Sequence, residues 1–378
     1  MTRQLVGPVK KFVAKDEDKW DRDSPPKKEN HVLVGVGAHV HHSSKKKDDY
    51  CSRIAARYAS LVTPTVPRPP VYTLSEEILR HYAPLVFLNS EEEFFPCTTE
   101  FYLSNAALED ESGKTVLDPV IDPKAGRRDA SQLPGTTLGK RDKYQTPLHD
   151  GKIWRNGEFN APCYGYHQPI FWKNQDWDVL HYFFFYAYNG ATDIIKSFGK
   201  HEADWEQMMI LTPKNSTPGN WTQPKYVYVA GHTGGNRLEW KDVIKFADPL
   251  DGHERPVVFS AQSSHATYAD PKDHGRIFNL KWLLMLIPGT FVVGDVYVAT
   301  DRTDTGWPWP TWDRIVDVGW DKDAFSNQAA YDAYQPPAGC EWMKYYGRWG
   351  DENITGPAHN VDWRQQDYGN REWPAREW

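Results

Sequence analysis

Four cysteines in 378 residues, none in a C-x-x-C pair, leave little material for a disulfide framework or a zinc ribbon. Cys51, Cys97, Cys163 and Cys340 stand far apart and read as reduced thiols. No run of about 18 apolar residues is present to span a bilayer. The longest attempt, Leu280 to Val293, is broken by Lys281, Pro288 and Gly289. The opening MTRQLVGPVKKFVAKDEDKW lacks the apolar stretch of a signal peptide, which predicts an intracellular protein, cytoplasmic or peripheral to endomembranes. There is no internal repeat, no Gly-rich phosphate loop and no G-x-S-x-G nucleophile elbow. Excess positive charge is missing too. With 44 Lys and Arg against 51 Asp and Glu the net charge is −7, a field that opposes nucleic acid.

What the chain does have is aromatic side chains: 17 Trp, 20 Tyr and 16 Phe. Such residues suit half-buried sheets and can also face sugars or lipid headgroups. Its charge is uneven, because residues 1–70 hold 14 basic and 8 acidic side chains and the remainder is strongly acidic. Residues 1–70 therefore read as a basic, largely flexible arm. The arm contains a short β-like run, HVLVGVGAHV, and a polar loop with His39, His41 and His42. It ends in the stiff Pro-rich connector TPTVPRPPV. Residues 71–378 read as the main domain, a β-sandwich closing with an aromatic-rich segment.

Thr73 and Glu76 make a capping box for a helix striped with Leu74, Ile78, Leu79 and Tyr82, which Pro84 ends. Beyond it, short apolar runs alternate with Gly, Pro, Asn and Asp: PLVFL, EFYLSN, CYGYHQPIFW, VLHYFFFYAY, EQMMIL, KYVYVAG, PVVFSA, GTFVVGDVYVA and WDRIVDVG. That spacing predicts a mainly β fold, an antiparallel β-sandwich with peripheral helices and long loops. The charged, Gly-rich stretch around 110–158 reads as a long excursion from the sheets, of the kind a lid makes.

The most informative stretch is YAYNGATDIIKSFGKHEADWEQMMIL, residues 186–211. In a strand beginning near Asp204, side-chain alternation puts Asp204 and Glu206 on one face and Trp205 on the other. Two clustered carboxylates are costly to bury without a cation or proton between them. His201, on the preceding loop, and Asp193, at the loop's far end, would converge on the pair. This oxygen-rich set suits Mg²⁺, Mn²⁺ or Ca²⁺ better than zinc. The plainer alternative is a solvated acidic face with Asp193 capping a turn.

Two further blocks stand out. In SSHATYAD, His265 follows a β-run with Ser263, Ser264 and Tyr268 close by, a grouping able to supply a general base or a ligand-binding imidazole. A structural histidine at a strand end reads equally well from the residues alone. Trp307, Trp309 and Trp312 lie in TDTGWPWPTWD, a Pro-stiffened segment that would serve as a platform for sugar faces or a membrane interface, or else as an aromatic plug over the sandwich.

The pattern G-x-H-x-x-D-W-E, with an Asp eight residues before the His, resembles the metal-binding heptapeptide of the necrosis- and ethylene-inducing peptide-like cytolysins. That resemblance puts the metal ligands on Asp193, His201, Asp204 and Glu206. The spacer differs, since Lys200 separates Gly199 from His201, and Glu202 and Ala203 replace the basic pair, so the likeness extends to the metal set and not to the toxin activity. A longer resemblance, over most of Tyr72 to Gly350, is to the fungal and plant vacuolar protein sorting-associated protein 62 family. It rests on HYAPLVFLNSEEEFFPCTTEFYL, the D-W-E strand, PVVFSAQSSHATYAD and YYGRWGD. The family implies a β-sandwich-type domain in an intracellular setting.

Together these readings predict a divalent-cation-dependent recognition protein that binds a polar headgroup, glycan or phospholipid, with peripheral membrane contact and a role in trafficking. Two alternatives stand beside it: a metal-dependent enzyme using the cation as Lewis acid with His265 as acid or base, and a protein whose metal is structural.

Overall fold

A computed structural model describes residues 73–109, 112, 114–117, 137–139, 161–172, 174–190, 201–214, 220–231, 234–248, 251–278, 296–319, 328–345, 348–350 and 354–355. The basic arm, Cys51, Asp193 and most of the 110–158 stretch lie outside them. The architecture is mainly β.

The chain enters through helix α1 (Leu74–Tyr82). Its capping box forms as expected: the Thr73 amide donates to Glu76 Oε2 at 2.9 Å and the Glu76 amide to Thr73 Oγ1 at 3.1 Å. Ile78, Leu79 and Tyr82 are buried, whereas Leu74, expected in the same stripe, is 52% exposed. Strand β1 (Leu85–Leu88) follows. EFYLSN, expected as a strand, is instead helix α2 (Thr99–Asn105). The Thr98 hydroxyl caps it by accepting the Phe101 amide at 2.9 Å, and local capping outweighs the β preference of Phe101 and Tyr102.

Strands β2 (Ala107–Glu109), β3 (Thr115–Leu117) and β4 (Thr137–Gly139) come next, the last two from the stretch read as an excursion from the sheets. The long strands β5 (Cys163–Trp172), β6 (Gln175–Asn189) and β7 (His201–Pro213) form antiparallel pairs. They continue into β8 (Tyr226–Gly231) and β9 (Gly234–Glu239). After β10 (Lys245–Ala247), β11 (Glu254–Ser260) and β12 (Thr267–Tyr268) comes the hairpin of β13 (Asp273–Phe278) and β14 (Val296–Arg302). The chain then forms β15 (Trp307–Pro310), β16 (Ile315–Asp317), helix α3 (Gln328–Ala333), β17 (Arg348–Trp349) and β18 (Ile354–Thr355). In WDRIVDVG only Ile315–Asp317 is strand, since a 3₁₀ turn covers Thr311–Arg314.

The six-stranded sheet β16-β5-β6-β7-β8-β9 is the middle layer. One face packs on the sheet β10-β11-β1-β15 and on α1, through a core that includes Leu79, Phe87, Tyr182, Phe184, Tyr186, Met208, Val258 and Trp309. The other face packs on α2, a 3₁₀ turn at Glu341–Lys344 and β17, through Tyr102, Phe183, Phe185, Trp342 and Trp349. Burial on both sides explains why HYFFFYAY is apolar without alternation. Most pairings are antiparallel, but β1/β11, β16/β5 and β17/β4 are parallel, so the sheets are mixed.

Candidate functional site

The D-W-E strand alternates as its sequence requires. Trp205 turns to the core containing Trp342, with ring centroids 5.3 Å apart, while Asp204 and Glu206 lie on the opposite face, both buried. Strand β7 starts three residues earlier than expected, so His201 is on the strand and not on a loop. There its Nδ1 lies 2.9 Å from the carbonyl oxygen of Ala203, a residue at φ 55°. Among the described residues, no three His, Cys, Asp or Glu side chains are spaced to hold a metal ion.

A histidine lies beside Asp204. His265 Nδ1 is 2.9 Å from Asp204 Oδ2, and its Nε2 is 3.5 Å from Glu92 Oε1. The second distance is an ion-pair contact, too long for a well-formed hydrogen bond. The ring lies flat on Tyr186, with centroids 3.7 Å apart and planes 4° apart, and the residue is 0% exposed. Burial disfavours the imidazolium, but Glu92 and Asp204 outweigh it and hold the pKa up at about 9. His265 is thus a buried cation between two carboxylates at neutral pH.

Four chain segments assemble this arrangement. In the loop after β1, Glu92 Oε1 accepts the amides of Glu93 and Phe94 at 3.0 and 2.8 Å, and Oε2 accepts that of Ser263 at 2.7 Å. At the end of β6, Asn189 Nδ2 donates to Asp204 Oδ2 at 3.1 Å and to the Ser264 carbonyl at 3.3 Å. The turn between β11 and β12 holds Ser263 at φ 62° and His265 at φ 55°, left-handed conformations that non-glycine residues adopt at a cost of about 1–3 kcal/mol each. On β14, Asp301 accepts Ser264 Oγ at 2.7 Å and Tyr268 OH at 2.6 Å. Gly190 closes the joint. Its amide donates to the Ser263 carbonyl at 2.7 Å, and a Cβ there would come within 2.7 Å of the Phe94 ring.

These contacts revise the roles expected of several residues. Ser264 and Tyr268 are buried and bound to Asp301, and Ser263 is half-buried with its amide on Glu92. His265 meets Glu92, Asp204 and Tyr186, with no exposed surface for a substrate to reach. The Trp segment is no open platform. Trp309 is buried against Phe184 in the core, and Trp312 stacks on Phe246 under the Arg255 guanidinium. Trp307 is half-buried, its indole donating to the Ser90 carbonyl at 3.3 Å. The alternating Pro308 and Pro310 place this segment as the edge strand β15, where missing amides are tolerated.

Sequence reasoning missed Glu92, Asn189 and Asp301. The run Glu91-Glu92-Glu93 directly before Phe94 and Phe95 is the available signal, because it sets carboxylates at the entrance to an apolar segment.

At the other end of the middle sheet the character is reversed. Cross-strand rows there run through Phe171 and Asp176, then Ile170, Trp177 and Pro213, then Leu211, Tyr226 and Glu239. Ile170, Trp172, Trp177, Val179, Leu211 and Tyr226 form an apolar cluster separate from both main cores.

The chain is thus a mainly β protein with mixed sheets, in which a histidine–carboxylate group is buried. The sequence profile of the family described as vacuolar protein sorting-associated protein 62 matches residues 26–274, and the chain belongs to that family. The match starts within the basic arm. In Saccharomyces cerevisiae, vacuolar protein sorting-associated protein 62 is 25% identical over 299 residues, 72% of this chain and 58% of the yeast protein. A second yeast protein, TDA6, named as a candidate vacuolar protein sorting-associated protein, is 25% identical over 75% of this chain and 62% of its own length. The chain therefore spans about three fifths of each relative. Among solved structures, necrosis and ethylene inducing protein 2 from the causal agent of cocoa's witches' broom disease aligns over 75% of this chain and 87% of its own. The identity is 12% and the TM-score 0.28, a likeness that carries no argument.

Proposed function

We propose that this chain is a non-catalytic recognition protein in vacuolar protein sorting, binding a polar headgroup, glycan or phospholipid at its surface. Family membership supports the sorting role, as the names of the two yeast relatives state it for them. The observation that carries the non-catalytic reading is the enclosure of His265: the imidazole that would serve as acid or base spends its protons on Glu92 and Asp204. Incubating the protein with glycans and lipids, followed by mass spectrometry, tests this. Binding without product is expected. Product whose formation falls about 10²–10⁴-fold in His265→Ala would instead make the imidazole catalytic.

A cation-dependent form of this reading uses Asp193, His201, Asp204 and Glu206 with Mg²⁺, Mn²⁺ or Ca²⁺. It is supported by the placement of Asp204 and Glu206 on one buried face of β7. In this form the metal and the His265 proton compete to neutralise Asp204. Chelation should then lower the melting temperature of wild type but not of Asp204→Asn, whereas equal melting with and without chelator in both proteins would exclude it.

A further inference from the structure

Strand β6 carries a second fully enclosed histidine, and its surroundings reverse those of His265. His181 is 0% exposed. It shares a face of the middle sheet with Phe183 and Phe185, the face on which α2, the 3₁₀ turn at Glu341–Lys344 and β17 pack. Its ring lies on that of Tyr166, its partner on β5, with centroids 4.2 Å and planes 14° apart, and Phe183 stands 6.2 Å away. Met209 is opposite it on β7. Among the described residues, neither Nδ1 nor Nε2 has a hydrogen-bond partner.

Where His265 meets two carboxylates, His181 meets none. The side chains around it on this face are Tyr166 and Gln168 from β5, Val179 and Phe183 from β6, and Gln207 and Met209 from β7. Tyr166 is the one titratable group in that set, and a phenol supplies no negative charge in acid. Gln168 Oε1 is likewise unpartnered, an amide oxygen that can accept a hydrogen bond but carries no charge. On the overlying layer the charged side chains described are Glu100, exposed, and Glu341 and Lys344, half-buried. No charge acts on the imidazole, and burial alone holds its pKa well below the ordinary 6.5.

We propose that His181 is an acid-sensitive switch built into the fold. While neutral it seals the core between the middle sheet and the layer of α2, the 3₁₀ turn and β17. Once protonated it is a buried cation without a counter-charge, and that layer loosens from the sheet so that water reaches the ring. The sign is opposite to that at His265: the contribution to stability is present above pH 6.5 and is lost as pH falls toward the lowered folded pKa. Each pH unit below 6.5 raises the population of the loosened form about tenfold. The switch is independent of which headgroup or glycan the protein binds.

The test is hydrogen exchange of the full chain at pH 6.5 and pH 5, read as protection factors corrected for intrinsic exchange, in wild type, His181→Phe and His181→Gln. In wild type, amides of α2 and of β6 around His181 should lose about thirty-fold in protection between the two pH values, beyond any loss in β11 on the opposite layer. His181→Phe, which keeps a ring on Tyr166, should abolish that extra loss. His181→Gln, smaller and uncharged, should do the same should the larger ring not fit. Equal pH dependence in wild type and a folded variant would overturn the proposal, as would a loss spread evenly over both layers. Nitrogen-resolved NMR of wild type needs no variant: the His181 ring should still be neutral at pH 6, and an imidazole half-protonated near pH 6.5 would also overturn the switch.

Discussion

The two ends of strands β5, β6 and β7 show opposite solutions to the placing of difficult side chains. At one end, charged groups are taken out of water, and each ring nitrogen of His265 faces a carboxylate in a site reinforced by three backbone amides from two loops. At the other, the ring of Phe171 is left 71% exposed to water. Burial of charge yields rigidity only if the pairing is complete, because an unpaired buried ion costs several kcal/mol. Exposure of an apolar ring yields little stability and makes a surface available. The contrast sets a fully enclosed charged group at the His265 end against an exposed aromatic at the β5–β6 hairpin end.

The comparison is broken most severely by removing the buried cation. His265→Leu removes the imidazole between Glu92 and Asp204 and leaves two buried carboxylates with amide donors but no counter-charge, and about 3–5 kcal/mol of stability should be lost in urea melts. A loss below about 1 kcal/mol would mean that the carboxylates are neutralised some other way.

Next in size is the dependence on pH. The folded His265 pKa, about 9, lies above the ordinary 6.5, so the group stabilises the fold fully below pH 6.5, and the contribution disappears as pH rises through about 9. The amount at stake is about 3 kcal/mol. His81 works the other way. Burial, followed by the neighbouring His253 and Arg255 charges, lowers its pKa to about 3, so its contribution is present above pH 6.5 and fades as pH falls toward 3. The stability difference between wild type and His265→Leu, measured by denaturant melts across pH, should therefore shrink steadily above pH 6.5. A difference independent of pH would contradict a charged His265.

Gly190→Ala probes the same end through packing. Its new methyl must displace the Phe94 ring or the Ser263 Cβ, which would be 2.8 Å away, and about 1–3 kcal/mol should be lost by thermal melting. The smallest effect belongs to the opposite end, where Phe171→Ser should change stability by no more than about 0.5 kcal/mol. A large loss there would show that the Phe171 ring is part of the core.

Much of this was legible in the sequence. The strand runs CYGYHQPIFW and VLHYFFFYAY fall on β5 and β6, the capping box forms, and the alternation of Asp204, Trp205 and Glu206 holds. Asp204 has a neighbour that the strand pattern does not reveal, an imidazole 61 positions away in sequence. Spacing along a strand reports which side chains share a face, not which distant loop is folded over them. Glu92 and Asp301 escaped notice for the same reason, since each acts through a partner brought in by β11 and β12. EFYLSN was misread because one threonine hydroxyl at a helix start outweighs a run of aromatic β formers. The Trp segment was legible as stiff, but its depth depended on pairing with β1.

The central claim, that His265 is a fixed internal cation and not a working acid or base, is tested most directly by nitrogen-resolved NMR of its imidazole through a pH titration. Both ring nitrogens should remain protonated through about pH 8 and lose a proton only near pH 9. Titration near the ordinary 6.5, or a ring already neutral at pH 7, would contradict the account.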